Sequence, residues 1–429
     1  MLEYVLDTVT SVGFDKIVVV SGIGHSEIEN IVAGRATIVR QELQGDTAHA
    51  VYKAKDVLGN LEGETVILYG DEPLMTKETI EKVIKKYEKN NYQLTILTSV
   101  LANPNGFARV IRESKSNKLI AVKEEKECNE YEKYISEVSS GVCVFDNKLL
   151  FKHLDMLIRL KTDCYLFDLV NIFQEAGHKI DSFVLEDPED LLQIGDRIDL
   201  AKASKVIRRR VNDKLMSQGV SIEDPDSTYI SPDVIIEQDS VVLPNSHVMG
   251  NTIIGKTNTI GPNANINNTI IGDNNKIRES WISDSRIGND NVIGPYARLR
   301  DDVIIKNHTL IGNFVELKNC VVEDNVCASH LSYLGDTNIG QNTNIGCMSV
   351  TANYDGYNKN HTEIGKNVFI GSGTILVAPV KVEDNGFTAA GSVITKDVKK
   401  DELAIERNKQ VNIEHGSSKI LNKAKERKS

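Results

Sequence analysis

From Ile230 onward an aliphatic residue returns at every sixth position: Ile230, Ile236, Val242, Val248, Ile254, Ile260 and Ile266 form one unbroken run. Ile293, Leu299, Ile305, Ile311 and Leu317 form a second run, and Ile364, Ile370, Leu376, Val382, Thr388 and Ile394 a third. Neither the helical period nor the strict alternation of an ordinary strand produces this spacing. Short turns carrying Gly, Asn or Asp punctuate it, as in Ile254-Gly255, Ile260-Gly261, Ile271-Gly272, Ile287-Gly288 and Ile293-Gly294. This is the hexapeptide pattern of a β-helix. Each hexad makes one flat side of a triangular coil, with its aliphatic residue pointing inward. One coil cannot bury that face alone, so many must stack. The register slips by one residue at Ile271, and a polar insertion from Ser349 to His361 separates Ile345 from Ile364. A coil that extrudes such a loop is expected to use it for function.

Upstream the texture changes. Apolar runs at Ile17 to Val20, Thr65 to Tyr69 and Leu94 to Leu97 alternate with helical patterns at Leu2 to Val12, His49 to Leu58 and Lys77 to Lys89. This predicts an α/β domain with a mostly parallel sheet. A chain of 429 residues exceeds the usual span of one core, which agrees with two domains. The expected organisation is an α/β domain over residues 1–196, a linker helix over 197–219, a left-handed parallel β-helix over 220–400 and a tail over 401–429. In the linker, Arg208, Arg209 and Arg210 read as a solvated face and Gly219 as the stop.

The net charge of −11 argues against nucleic-acid binding, and the basic end from Lys419 through Lys428 reads as a solvated tail. No stretch approaches the ~20 apolar residues of a membrane span, and Met1 to Thr10 lacks a secretory pattern. A cytoplasmic protein is expected. Cys128, Cys143, Cys164, Cys320, Cys327 and Cys347 form no CxxC pair or zinc-site spacing and read as reduced thiols.

Four strings carry a family likeness: Gly294-Pro295-Tyr296-Ala297-Arg298-Leu299-Arg300, Gly312-Asn313-Phe314-Val315-Glu316-Leu317-Lys318, His330-Leu331-Ser332-Tyr333-Leu334-Gly335-Asp336 and Asn353-Tyr354-Asp355-Gly356. With both halves in view, the sequence resembles the bacterial bifunctional N-acetylglucosamine-1-phosphate uridyltransferase/glucosamine-1-phosphate acetyltransferases over nearly its whole length. The resemblance implies a Rossmann-like nucleotidyltransferase domain followed by an acetyltransferase β-helix. It also implies acetyl-CoA as co-substrate, a homotrimer, and Mg²⁺ where uridyl transfer operates.

Acetyl transfer to an amine needs a base, and a sugar 1-phosphate needs cations. By resemblance His330 is the base and Glu316 orients or polarises the site. Arg300 and Lys318 meet the phosphate, Tyr333, Asn344 and Asn353 complete the amino-sugar contacts, and Lys359 lies on the loop that a neighbouring subunit uses to close the site. Acetyl-CoA is assigned Asn353, Tyr354, Cys347, Ser372, Ala390 and Arg407. A thiol at Cys347 raises a covalent acetyl-cysteine route, against which a small apolar filler explains the residue as well.

In the first half the family's Gly-rich triphosphate loop is missing, because Met1-Leu2-Glu3-Tyr4-Val5 aligns just after it. Gln41, Tyr69, Gly70 and Asp71 match uracil- and metal-binding positions, and Glu124 a sugar contact. Asp46, Ala108, Ser139 and Gly195 depart from the family pattern, and Gly195 stands where a second metal ligand is expected. The expectation is a truncated domain that has lost uridyl transfer, with Asp71 alone a poor metal site. Two alternatives stay open: a fully bifunctional enzyme with a mis-assigned start, and a non-catalytic assembly partner of an intact paralogue.

Overall fold

The computed structural model describes residues 1–42, 46–139, 141–160 and 164–427, so Lys428 of the basic end lies outside the described residues. The chain divides into two compact units, Met1–Ile207 and Arg208–Ser429, and the division falls within one helix, Arg197–Ser217. No described helix is long and apolar enough to cross a membrane.

The second unit is the left-handed β-helix that the hexads require. Its strands are mostly two or three residues long and pair in parallel with the equivalent strand of the next coil, as Ile230 with Val248, Ile236 with Ile254 and Val242 with Ile260. All residues of the three runs are buried, none more than 5% exposed, and all but Thr388 join one continuous apolar column; the Thr388 hydroxyl accepts from the Gly371 amide instead. Beyond the slip at Ile271 the regular step returns at Ile277, then two further short steps bring Ile282 and Ile287 inward, and pairing absorbs them. The insertion leaves the column unbroken: Ile339 pairs with Ile364 and Ile345 with Ile370 across the extruded loop.

Corners need left-handed backbone. Asn325, Asn342, Asn367, Asn385 and Asp401 all sit at φ between 55° and 63°, a region that Asn and Asp tolerate better than most residues. Their side chains form a ladder along that edge, from Asn325 to Asn342 at 3.1 Å through to Asn385 on Asp401 at 2.8 Å. A second ladder lies inside the prism, where the fully buried Asn258, Asn275 and Asn291 bond one another and the carbonyls of Gly272, Gly288 and Lys306.

In the first unit, the helices Leu2–Val12 and Lys77–Asn90 and the strands Val18–Ser21, Glu64–Ile67 and Leu94–Val100 fall where apolar patterning places them. The segment from His49 to Leu58 is two short helices, Thr47–Lys53 and Lys55–Leu58, rather than one. Among the described residues the expected mostly parallel sheet is not found. Val18–Ser21 and Thr37–Arg40 make a separate parallel pair. The larger sheet runs Glu64–Ile67, Cys143–Asp146, Leu94–Val100, Glu137–Ser139, Ala108–Arg112, Leu119–Lys123, and its neighbours along that order pair antiparallel; only Ile180–Val184 joins in parallel, beside Leu94–Val100. An apolar run reports burial of a strand on both faces, not its direction, which depends on connections. Phe145, Leu94, Ile96, Leu150, Leu154 and Phe173 fill the core beneath.

Arg208 also departs from a solvated face: its guanidinium lies 4.5 Å over the Tyr229 ring, which stacks on His247, and so ties the helix to the first coils. Cys128, Cys143, Cys164 and Cys320 are buried, and Cys327 and Cys347 half-buried.

The inward column and the outward rows should respond differently to truncation. Ile277→Ala is expected to cost about 2–5 kcal/mol of stability, whereas Lys276→Ala, its exposed neighbour, should stay within about 0.5 kcal/mol. Urea unfolding of both variants checks this, and equal losses would contradict the assigned facing.

Candidate active site

Two long strands organise the site. Leu310–Val322 and Cys327–Ile339 pair in parallel through a corner of the coil, setting Asn313 opposite His330, Glu316 opposite Tyr333 and Lys318 opposite Gly335. The preceding coil sets Arg298 beside Glu316 and Arg300 beside Lys318. Leu299, Leu317 and Leu334 point inward, so by strand alternation Arg300, Glu316, Lys318 and Tyr333 share the outer face.

The charges on this face are organised. Arg300 donates from Nε to Glu316 Oε1 at 2.8 Å and from Nη1 to Asp301 Oδ2 at 2.9 Å. Lys318 Nζ lies 3.9 Å from the same Asp301 oxygen, with only 10% of its side chain exposed. Glu316 is therefore an orienting partner of Arg300. The extruded loop brings Lys359 into range as well: the Lys318 amine pushes the Lys359 amine below the ordinary lysine range, desolvation adds to this, and Asp336 and Asp301 oppose it. Two adjacent ammonium groups repel, and an anion between them relieves the repulsion.

Beneath them lies Asp336, buried and accepting hydrogen bonds from Asn319 Nδ2 at 2.7 Å and from Asn353 Nδ2. Burial pushes its carboxyl up, but Asn319, Asn353, Lys318 and Lys359 outweigh that and hold it below the usual carboxylate range. Asn353 also lies 3.4 Å from the Tyr333 hydroxyl, so its amide hydrogens are directed inward and its carbonyl oxygen is what it offers a ligand. Asp355 shapes the loop by accepting from the Tyr357 and Asn358 amides and from Asn360, contacts that lower its pKa to about 2. Tyr354, 64% exposed, bridges to Lys359 within it.

His330 stands at the corner, exposed, with Nδ1 3.0 Å from Asn313 Oδ1. The same corner position in later coils is held by Cys347, Ser372 and Ala390: Met348 N–H bonds Leu331 O, Gly373 N–H bonds Cys347 O and Gly391 N–H bonds Ser372 O. Arg407 reaches this column through Nη1 to Ala390 O at 2.9 Å. The residues expected to hold acetyl-CoA thus continue one edge away from His330. Asn344 lies on the face before that corner, opposite Cys327 and Phe369. The corner residues Tyr296, Phe314, Leu331 and Met348 are bulky, about half exposed and at φ between 35° and 63°. Asp301, Asn313, Asp336 and Asp355 were not singled out by sequence reasoning, although the last three lie inside the family-like strings; partners and burial, which mark them, become visible only with the coil register.

The first unit gives less. Asp71 accepts from Gln193 Nε2 at 3.0 Å, and Gly195 offers only its backbone, whose N–H bonds Asp199. Among the described residues no three of His, Cys, Asp and Glu cluster to hold a metal ion. These residues do not by themselves make a Mg²⁺ site. Tyr69 is partly buried, its hydroxyl pushed upward in pKa chiefly by desolvation, and Gly70 lies against Leu2. Gln41 donates its N–H to Ser21 O at 2.8 Å. Glu124 is half-buried and raised in pKa by desolvation and then by Glu127 and Asp168. Asp46 accepts from the Cys164 amide at 3.1 Å, Ser139 donates to Leu97 O at 2.8 Å, and Arg109 is buried against Glu125. These three are fastened within the domain.

The bacterial transferase hexapeptide model (six repeats) matches residues 233–268, 284–319 and 361–396, and the MobA-like NTP transferase domain model matches residues 1–125. The bifunctional protein GlmU of Listeria welshimeri is 41% identical over 416 residues, covering 96% of this chain and 90% of that protein. GlmU of Listeria innocua is 41% identical over 429 residues, with 99% and 93% covered, and that of Halalkalibacterium halodurans 38% over 424, with 98% and 93%. Because the nucleotidyltransferase match starts at residue 1, these likenesses do not bear out a shortened first domain or a lost uridyl transfer.

The depressed carboxyl of Asp336 has a sign. A group with a lowered folded pKa contributes stability above its unfolded value, near ~3.9, and loses it as pH falls through the folded one. Asp336→Asn should therefore be less stable than the parent at pH 7, with the gap narrowing below about pH 4. Urea midpoints from pH 7 to 3 read this directly; a gap that stays constant would mean the carboxylate charge is not what matters.

Proposed function

The chain belongs to the family of the bifunctional protein GlmU, and from that premise we propose that its second unit transfers acetyl from acetyl-CoA to the amine of glucosamine 1-phosphate, a step toward UDP-N-acetylglucosamine for the cell wall. The observation that carries this reading is the convergence of Arg300, Lys318 and Lys359 on one face beside His330, at the start of the edge that Cys347, Ser372, Ala390 and Arg407 continue. The cations take the phosphate dianion, Arg300 as a planar fork held by Glu316 and Lys318 as a point charge. His330 Nε2 removes a proton from the attacking amine. The nitrogen adds to the thioester carbonyl, the tetrahedral intermediate collapses, and the C–S bond breaks to release CoA thiolate, which is then protonated. Cys347 is a small wall of the acetyl-CoA edge rather than a nucleophile.

A homotrimer in the cytoplasm fits this reading. The exposed Phe369 and Phe387, stacked at 4.6 Å, and Tyr296, Phe314, Leu331 and Met348 give the corner and its adjacent face an apolar surface that another prism would cover.

For the first unit two readings each have an observation. The relatives' full-length likeness and the match over residues 1–125 support retained uridyl transfer. Asp71 held by Gln193 and the bare Gly195 support its loss. Pyrophosphate release from UTP and N-acetylglucosamine 1-phosphate with Mg²⁺ decides between them: turnover establishes the bifunctional enzyme, and none establishes a scaffold role.

For the second unit, CoA release with glucosamine 1-phosphate is expected, reduced ~10²–10⁴-fold by His330→Ala. Arg300→Ala and Lys318→Ala should each cost about one to two decades in kcat/KM for the acceptor, at ~1.5–3 kcal/mol per charge-assisted contact, with little change toward acetyl-CoA. Equal use of unphosphorylated glucosamine would overturn the acceptor assignment.

A further inference from the structure

We propose that Asn313 is a positioning residue for acetyl transfer, holding His330 in the tautomer and orientation that leave Nε2 free to accept the amine proton. The inference rests on His330 being the base and adds the group that makes it one. An amide oxygen has only lone pairs to offer, so at 3.0 Å from Asn313 Oδ1 the His330 Nδ1 carries the proton and donates it. The other ring nitrogen is then unprotonated, as a base must be.

Three further observations support a built arrangement. Asn313 and His330 are register partners in the most extensively paired strands of the prism, so their backbones are fixed relative to each other. Gly312 precedes Asn313, and a Cβ there would collide with the Ser329 backbone, so the two coils close up beside this pair. Phe314 and Leu331, the residues that follow, both hold left-handed corner backbone, which aims Asn313 and His330 from equivalent points of successive turns. The nearby carboxylates are committed elsewhere: Glu316 and Asp301 to Arg300, and Asp336 to Asn319 and Asn353. The partner of the imidazole is thus a neutral amide, which orients the ring without adding negative charge next to a site that must also receive a phosphate dianion.

The test uses the full chain, acetyl-CoA and glucosamine 1-phosphate, reading CoA release across pH. Asn313→Ala should lower kcat about tenfold or more while both KM values stay within about twofold, the split expected when a transition-state interaction alone is lost. Asn313→Asp still accepts from Nδ1 but places a charge there. It should retain most of kcat above about pH 8, with the acid limb of its pH profile displaced upward by about one unit, because an adjacent carboxylate favours the imidazolium. Unchanged kcat in Asn313→Ala, or an Asn313→Asp profile that superimposes on the parent's, overturns the proposal. Should Asn313→Ala not fold, the Asn313→Asp profile decides alone. His330→Ala separates the two levels: activity retained there removes the base assignment itself, whereas activity lost there with indifferent Asn313 variants removes only the role of Asn313.

Discussion

Each coil of the prism closes only by turning sharply at its corners, and many of these turns force a residue into left-handed backbone. For an ordinary L-residue that conformation costs roughly 1–2 kcal/mol. Repeated at corner after corner the cost would be prohibitive, and the chain meets it with Asn, Asp and Gly; the Asn and Asp side chains then bond to the next turn, as along Asn325 to Asp401. The aliphatic column and the ladders are two sides of one requirement: a flat side short enough to bury one residue needs a corner at each end.

The corner beside His330 departs from that economy. Tyr296, Phe314, Leu331 and Met348 hold left-handed backbone there with large apolar side chains half in solvent. Strain of this kind persists where the surroundings over-determine it, and it clusters at functional sites. Here it keeps the chain at a sharp angle where Asn313 and His330 sit, with the cationic face on the side that follows, where Arg300, Lys318 and Tyr333 lie.

The fold of the second unit was legible because its rule is a count: an inward residue at every sixth place can be read without knowing any contact. The later short steps at Ile282 and Ile287 escaped because each is a local accommodation that only pairing reveals. In the first unit the apolar runs located strands but not their directions, since burial on both faces gives the same composition to either sense. The site was legible as a set of strings and not as an arrangement. Arg300 and Glu316 form an ion pair across coils whose register no spacing rule supplies, and Asp336 matters through burial and two asparagine donors. Arg208 likewise read as solvated because its aromatic partner, Tyr229, is supplied by a separate coil.

The loop carrying Tyr354, Asp355 and Lys359 leaves the prism after Ala352 and returns at Thr362; Thr351 and Thr362 are fully buried, and the coils on either side stack as though nothing intervened. Its shape is set by contacts of its own, chiefly those of Asp355. Because closure entropy grows only slowly with length, by about 0.6 kcal/mol per doubling, such a loop can be lengthened, shortened or replaced at little expense to the scaffold. The chemistry of the loop and the stability of the fold are thereby separable variables in this architecture: the prism is free to drift toward durability while the excursion drifts in side chains and length, with neither change obliging the other.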